Sequence, residues 1–241
     1  ASQKYRYNRV AFTAAYPFNN NARVSFTPFF AESRLLDVSN IAAADVASTY
    51  LGARGEFVYD NSRINGMNMM EGTRFKVRYD LFGGINRTRG FNRLVIDFRH
   101  YQKIHRDLIF ATRVSFAHSG GKSPKQSVLG GMENWTGNNQ EERTVNPLAV
   151  GLSSSLIPID NRDIFFVELA TNLRGFNFNK VSGSSHLLFN GELRMPLVKY
   201  FYRGPITSNF LRNFQLVGFT DVGTAWTGKW PFNRQNSLNT E

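Results

Sequence analysis

From Thr73 to Phe82 the chain reads TRFKVRYDLF, so that Phe75, Val77, Tyr79 and Leu81 fall on one side of an extended backbone while Arg74, Lys76, Arg78 and Asp80 fall on the other. Alternation with period two is the pattern of a β-strand, in which successive side chains point to opposite faces. The next segments repeat it. Leu94, Ile96, Phe98 and His100 oppose Arg93, Asp97 and Arg99, and Phe110, Thr112, Val114 and Phe116 oppose Ala111, Arg113 and Ser115. Val10, Phe12, Ala14 and Tyr16 form an earlier stripe, followed across PFNNN by Val24, Phe26 and Phe30. A weaker stripe runs from Tyr50 to Tyr59, with Leu51, Ala53, Phe57 and Tyr59 opposite Arg54 and Glu56. Leu187, Phe189, Leu193 and Met195 oppose His186, Asn190, Glu192 and Arg194, and Phe214 to Thr224 makes a last strand.

These stripes predict about eight strands of roughly ten residues each, with no helical periodicity, and hence an all-β, antiparallel protein. Pro28 lies within a strand and has no N–H to give to a ladder, so a bulge or local distortion is expected there. PFNNN, GINRTRG and QKIHRD are short connections. Residues 36–47, 60–72 and above all 119–183 are long ones, and 60–72 falls at the short-turn end if GINRTRG lies opposite.

Alternation alone fits two architectures. A soluble sandwich buries its apolar face against a second sheet, whereas a transmembrane barrel turns that face to lipid and its polar face to an aqueous lumen. Strand length favours the barrel, because a tilted strand needs about 9–11 residues to cross a bilayer. Aromatic residues near strand ends, at Tyr16, Tyr50, Tyr59, Phe82, Phe91 and Tyr101, are expected to form an interfacial girdle.

Composition sharpens this picture. The chain has 241 residues and a net charge of +11, from 29 Lys and Arg against 18 Asp and Glu. The basic residues are spread singly and are not bunched, which argues against nucleic acid and suits an arginine-rich lumen. There is no cysteine, and the four histidines, His100, His105, His118 and His186, lack metal-ligand spacing; no metal and no cofactor are expected. No run of 18 or more apolar residues suggests a membrane-crossing helix. The opening ASQKYRYNRV has no apolar core of a signal peptide and reads as mature or internal sequence.

Three late segments carry more than periodicity. LRGF spans Leu173, Arg174, Gly175 and Phe176; NGELRMPL runs from Asn190 to Leu197; GFTDVGTAW runs from Gly218 to Trp226. With LGG at Leu129 to Gly131 before them, these segments resemble, in order, the signature of the outer-membrane assembly superfamily that includes BamA and TamA, the bacterial surface antigen type. GARGEFVYDNSR resembles a segment of those members whose barrel follows a periplasmic β-propeller.

The resemblance implies that LRGF is the tip of a long extracellular loop, here at about 119–183, folded back into the lumen. On the strands, Phe219, Asp221 and Gly223 share one face, as do Glu192 and Arg194. An arginine brought in on that loop could pair with Asp221 or Glu192 and lay its stem against Phe219, with Gly175 allowing a tight turn or a close approach. Trp226 reads equally as an interface anchor or as a motif residue.

The function implied is non-catalytic insertion, assembly or translocation of proteins at the bacterial outer membrane. The implied partners are outer-membrane lipids and lipopolysaccharide, client outer-membrane proteins and accessory subunits of a membrane complex. Two features depart from the family pattern. About forty residues, including DIFFVEL, separate LGG from LRGF, and that insertion is expected either to form an extra extracellular hairpin or to cover the barrel. About eight strands are visible of an expected roughly sixteen. Residues 1–241 are therefore expected to be part of one barrel domain, with some strands lying before Lys4 and others after Trp226.

A passive porin is the alternative that an arginine-lined face supports. A barrel enzyme is disfavoured. His118 and Ser119 in AHSGG point to opposite faces with no carboxylate placed to orient the histidine. GLSSS at Gly151 to Ser155 lacks the second glycine of a nucleophile elbow.

Overall fold

The computed structural model describes residues 3–37, 46–132, 165–170, 173–177, 180–228 and 230–232. In chain order the strands are β1 (Gln3–Ala11), β2 (Ala14–Asn19), β3 (Ala22–Asp37), β4 (Val46–Asp60), β5 (Arg63–Gly66), β6 (Met69–Gly84), β7 (Phe91–His105), β8 (Leu108–Gly121), β9 (Ser127–Leu129), β10 (Glu168–Ala170), β11 (Val181–Gly183), β12 (Ser185–Pro196) and β13 (Gln215–Trp226). Two short helices, α1 (Leu197–Phe201) and α2 (Asn209–Asn213), lie between β12 and β13.

The long strands form one antiparallel sheet in the order β1-β3-β4-β6-β7-β8-β12-β13, with β2 pairing β3 and β5 pairing β6. The sheet is all-β and barrel-like, and it is not closed among the described residues. A second, three-stranded sheet, β10-β9-β11, is built from the connection between β8 and β12.

The strands are longer than the roughly ten residues expected: β3 and β6 each have 16. Pairing continues past the apolar stripe wherever the partner strand continues too, since each further residue pair satisfies its backbone groups. The 60–72 connection is itself mostly paired, because β5 folds against the start of β6. It lies at the short-turn end, as GINRTRG at the other end requires. The structure also has two helices that periodicity did not predict. At five residues each they are too short to show a 3.6-residue repeat.

Pro28 produces an interruption and no bulge. The pairs Ala11 with Phe29 and Ala14 with Phe26 keep one register across it, so β1 and β2 are a single strand broken only opposite the proline. The Pro28 carbonyl still accepts from the Phe12 N–H at 3.1 Å. In an antiparallel ladder the N–H of that residue would point the same way, so the missing bond falls on the β1–β2 side and pairing with Ala53 of β4 is untouched. The register shift in this region lies instead between Pro17 and Asn19.

The two faces of the sheet differ in an unusual sense. Leu51, Leu81, Phe98, Phe110, Phe189 and Leu193, all on the apolar stripes, are exposed. The opposite face holds the charged residues, and they are paired: Arg54 with Asp80 at 2.5 Å, Lys76 with Glu56 at 3.1 Å, and Arg113 with Asp97 at 2.8 Å. A soluble sheet buries apolar side chains and shows polar ones to solvent. Here the outer face is apolar and the inner face is charged.

Candidate functional site

The inner face is where the segments picked out by motif meet. On β13, Phe219, Asp221 and Gly223 point inward, beside Glu192, Asn190 and Leu188 on β12, since Asn190 pairs Asp221 and Glu192 pairs Phe219 in the ladder. Arg174 arrives from the connection before β11. Its Nε donates to Asp221 Oδ2 at 2.6 Å, its Nη2 to Asp221 Oδ1 at 2.6 Å and its Nη1 to Glu192 Oε1 at 2.6 Å. Its guanidinium carbon sits 4.0 Å from the centre of the Phe219 ring.

This arrangement engages all three nitrogens of the planar fork. Two parallel bonds go to one carboxylate, one bond goes to another, and the π face lies on an aromatic ring, which a lysine could not reproduce. The backbone N–H of Arg174 also donates to Asp221 Oδ2 at 3.0 Å, and Asn190 Nδ2 donates to Oδ1 at 2.7 Å. Asp221 therefore receives four donors while its side chain is 2% exposed. Glu192 is shared, taking two further bonds from Arg194 at 2.8 and 2.6 Å. Arg194 in turn donates to the Asn68 carbonyl in the turn before β6.

The two glycines have different tasks. Gly175 adopts φ +87°, and a Cβ there would meet nothing within 4 Å, so its task is the turn and not a close approach. Gly223 is the place of close approach. A Cβ there would lie 2.7 Å from Leu129 Cδ2, 3.2 Å from Leu188 Cδ1 and 3.4 Å from Leu173 Cδ1. Leu129, Leu173, Leu188 and Ala170 form a buried cluster against it. The LGG segment thus lies alongside LRGF, tied by a bridge between Gly131 and Leu173. Phe176 is exposed, whereas Trp226 is buried beside Phe116.

A second anchorage was not foreseen from sequence. Of DIFFVEL, residues 165–169 are described, and they enter the inner face. Phe166 is 3% exposed, with ring centres of Tyr50, Phe82 and Phe91 at 5.2, 5.5 and 5.5 Å. Glu168 accepts from Arg78 at 2.8 Å and from Arg93 at 3.0 Å, and Arg93 also donates to the Phe166 carbonyl. β10 then pairs in parallel with β9. The described part of the insertion covers the inner face; the remainder, residues 133–164 and 171–172, lies outside the described residues.

This corrects the expected girdle. Tyr50, Phe82 and Phe91 are buried on the inner face as the walls around Phe166, and Tyr101 is buried against Ile109 and Ala111. Their parity explains it: Phe82 is in step with Arg78 and Asp80, and Phe91 and Tyr101 with Arg93 and Asp97, so period two sends them inward. Tyr50, Phe82 and Phe91 pack on one another and on Phe29, and the return of the insertion adds Phe166 to that cluster.

The catalytic alternative gains nothing in geometry. His118 Nδ1 lies 2.7 Å from Ser185 Oγ, while Ser119 Oγ donates to the Asn92 carbonyl and accepts from the Lys125 N–H. Among the described residues no cluster of three His, Cys, Asp or Glu could hold a metal ion.

The three-dimensional arrangement can be compared with solved structures. BamA from Haemophilus ducreyi, in a form lacking POTRA domains 1–3, superposes with a TM-score of 0.61 over 96% of this chain at 13% sequence identity. The fold is that of the BamA barrel. This chain spans 44% of the length of that BamA chain. Comparison with family profiles gave no match, and neither did comparison with curated proteins.

Proposed function

We propose that this chain is part of an outer-membrane barrel of the BamA and TamA kind, acting without catalysis in the insertion, assembly or translocation of proteins. The observation that carries this reading is the docking of Arg174 on Asp221, Glu192 and Phe219, from a loop that turns back onto the inner face of a BamA-like sheet. The apolar outer face supports a bilayer as its surroundings: Leu51 and Leu81 are 60% and 50% exposed, where a soluble protein would place polar groups.

On this reading residues 1–241 belong to one barrel domain, and the connection at about 119–183 is an extracellular loop. Outer-membrane lipids and lipopolysaccharide surround the sheet, and client outer-membrane proteins and accessory subunits are its partners. The docked arginine fixes the loop, and its contacts with β12 and β13 couple the loop to the sheet.

The test is a charge reversal in the intact protein. Asp221→Arg is expected to lower the yield of client barrels assembled in reconstituted vesicles, and adding Arg174→Asp is expected to restore much of it, because Glu192 keeps Arg194 as a partner. Full assembly activity with Asp221→Arg alone, in a normally folded protein, would remove the pairing from the mechanism. A passive porin is the second reading, favoured by a polar cavity of about 370 Å³ lined by Glu56, Lys76, Arg78, Asp97, Arg113 and His186. Large, steady single-channel conductance supports that reading; low or flickering conductance supports the first.

A further inference from the structure

The 197–214 connection joins β12 to β13. It carries both helices, lies at the short-turn end and is held there by named contacts. Arg106 in the β7–β8 turn donates to the Tyr200 carbonyl at 3.2 Å, His105 Nδ1 lies 3.1 Å from Tyr200 Oη, and Lys199 pairs with Asp107 at 3.2 Å. Arg212 donates to the Ile206 carbonyl within the connection. These contacts frame a cavity of about 510 Å³, lined by four cations, Arg106, Lys199, Arg203 and Arg212, and by one carboxylate, Asp107. Asp107 is already paired, so the cavity is left with a surplus of positive charge facing solvent.

Beside these cations the same connection presents exposed apolar side chains. Phe201 and Phe210 are each 71% exposed, and Phe214 and Leu211 are 44% and 43% exposed. They continue the exposed apolar stripe of β12 and β13, through Leu193 and Leu216, beyond the ends of those strands. A surface that places aromatic rings next to arginines at the edge of an apolar band matches the boundary of a bilayer, where rings enter the acyl region and cations meet phosphate.

We propose that this cavity binds the phosphate headgroup of an anionic phospholipid in the leaflet at the short-turn end, with Arg106, Lys199, Arg203 and Arg212 as the cation set and Phe201 and Phe210 inserted beside it. The proposal rests on the membrane-barrel reading above. It assigns the connection a function of its own, which is to fix the height and lipid preference of the β12–β13 hairpin, the hairpin that carries Glu192 and Asp221. A phosphate in the cavity meets guanidinium groups able to donate two parallel bonds each.

The test uses the intact protein carrying Phe210→Trp, reconstituted in phosphatidylcholine vesicles containing a minor fraction of brominated phosphatidylglycerol or, at the same fraction, brominated phosphatidylcholine. Quenching of the added tryptophan, after subtracting the parent protein's signal, reads the lipid beside the cavity. The expected result is a preference of about tenfold for the anionic lipid, since each nearby cation adds attraction. Arg203→Gln with Arg212→Gln should bring the two lipids to parity, and Lys199→Gln alone should lower the preference if the double variant does not fold.

Equal quenching by both lipids in an inserted protein overturns the headgroup site and leaves the barrel reading standing. No quenching by either lipid, with no protection from protease, overturns both. Displacement of the anionic lipid by millimolar inorganic phosphate overturns the lipid as occupant and assigns the cavity to a free anion.

Discussion

Removing the Asp221 carboxylate is the most direct probe of the docked loop. In Asp221→Ala, three donors of Arg174 and the amide of Asn190 lose their acceptor at once. Two magnitudes compete. A solvated ion pair contributes about 1 kcal/mol or less, whereas removing one partner of a buried pair costs about 3–5 kcal/mol. Side-chain exposures of 2% for Asp221 and 14% for Arg174 put the pair nearer the second regime. The bond to Glu192 and the Phe219 ring survive and hold part of the loop, so about 3 kcal/mol is the expected loss of docking stability.

Since about 1.4 kcal/mol is a factor of ten, the population of the undocked loop should rise about a hundredfold. The Arg174 amide is the natural reporter, because its N–H donates to the deleted carboxylate, and neighbouring amides through Asn177 report the loop as a whole. Hydrogen exchange followed by mass spectrometry in a bilayer mimic measures it. The Arg174→Ala and Asp221→Ala double variant should be little worse than either single one, giving a coupling of about 2 kcal/mol. Exchange of 173–177 unchanged within about threefold in Asp221→Ala would refute the buried-pair reasoning and return the contact to the solvated regime.

Other changes test neighbouring parts of the argument. Gly223→Val pushes atoms into a space where even a Cβ lies 2.7 Å from the fully buried Leu129, so overpacking of about 1–3 kcal/mol should raise exchange in β9 while leaving β3 and β4 unchanged. Phe166→Ala opens a cavity among Tyr50, Phe82 and Phe91; a loss of about 3–5 kcal/mol should appear as protease cleavage around 165–170 before the sheet itself unfolds. Leu51→Lys puts a charge on the exposed apolar face, opposite Gly83 near the end of β6. In a bilayer it should cost on the order of 1 kcal/mol at that depth, seen as a lower urea midpoint of folding into vesicles, whereas no change would speak for an aqueous surround.

What could be read from the sequence follows from what is local. Period-two alternation placed all eight ladder strands, and it also put Phe219 with Asp221 on one face of their strand and Glu192 with Arg194 on one face of theirs, because a strand's geometry is set by its own backbone. The resemblance carried by LRGF, GELRMPL and GFTDVGTAW in that order implied a loop arginine that could reach Asp221 or Glu192. The same parity, followed to the strand ends, turns Tyr50, Phe82, Phe91 and Tyr101 inward, although a girdle was expected of them.

Tertiary structure alone decided the rest. Phe166 and Glu168 reach Arg93 across 73 and 75 residues of sequence, and no periodicity encodes which strand a returning loop will meet. Gly223 follows the same logic: in sequence it is a gap in a stripe, and only the arrival of Leu129 and Leu173 makes its missing side chain necessary. The helices α1 and α2 are stated by no pattern either, since five residues make barely more than one turn, and α1 is held by its contact with the β7–β8 turn. Alternation along a strand is a property of the chain; the choice of what packs on its inner face belongs to the folded sheet, which brings distant side chains within reach.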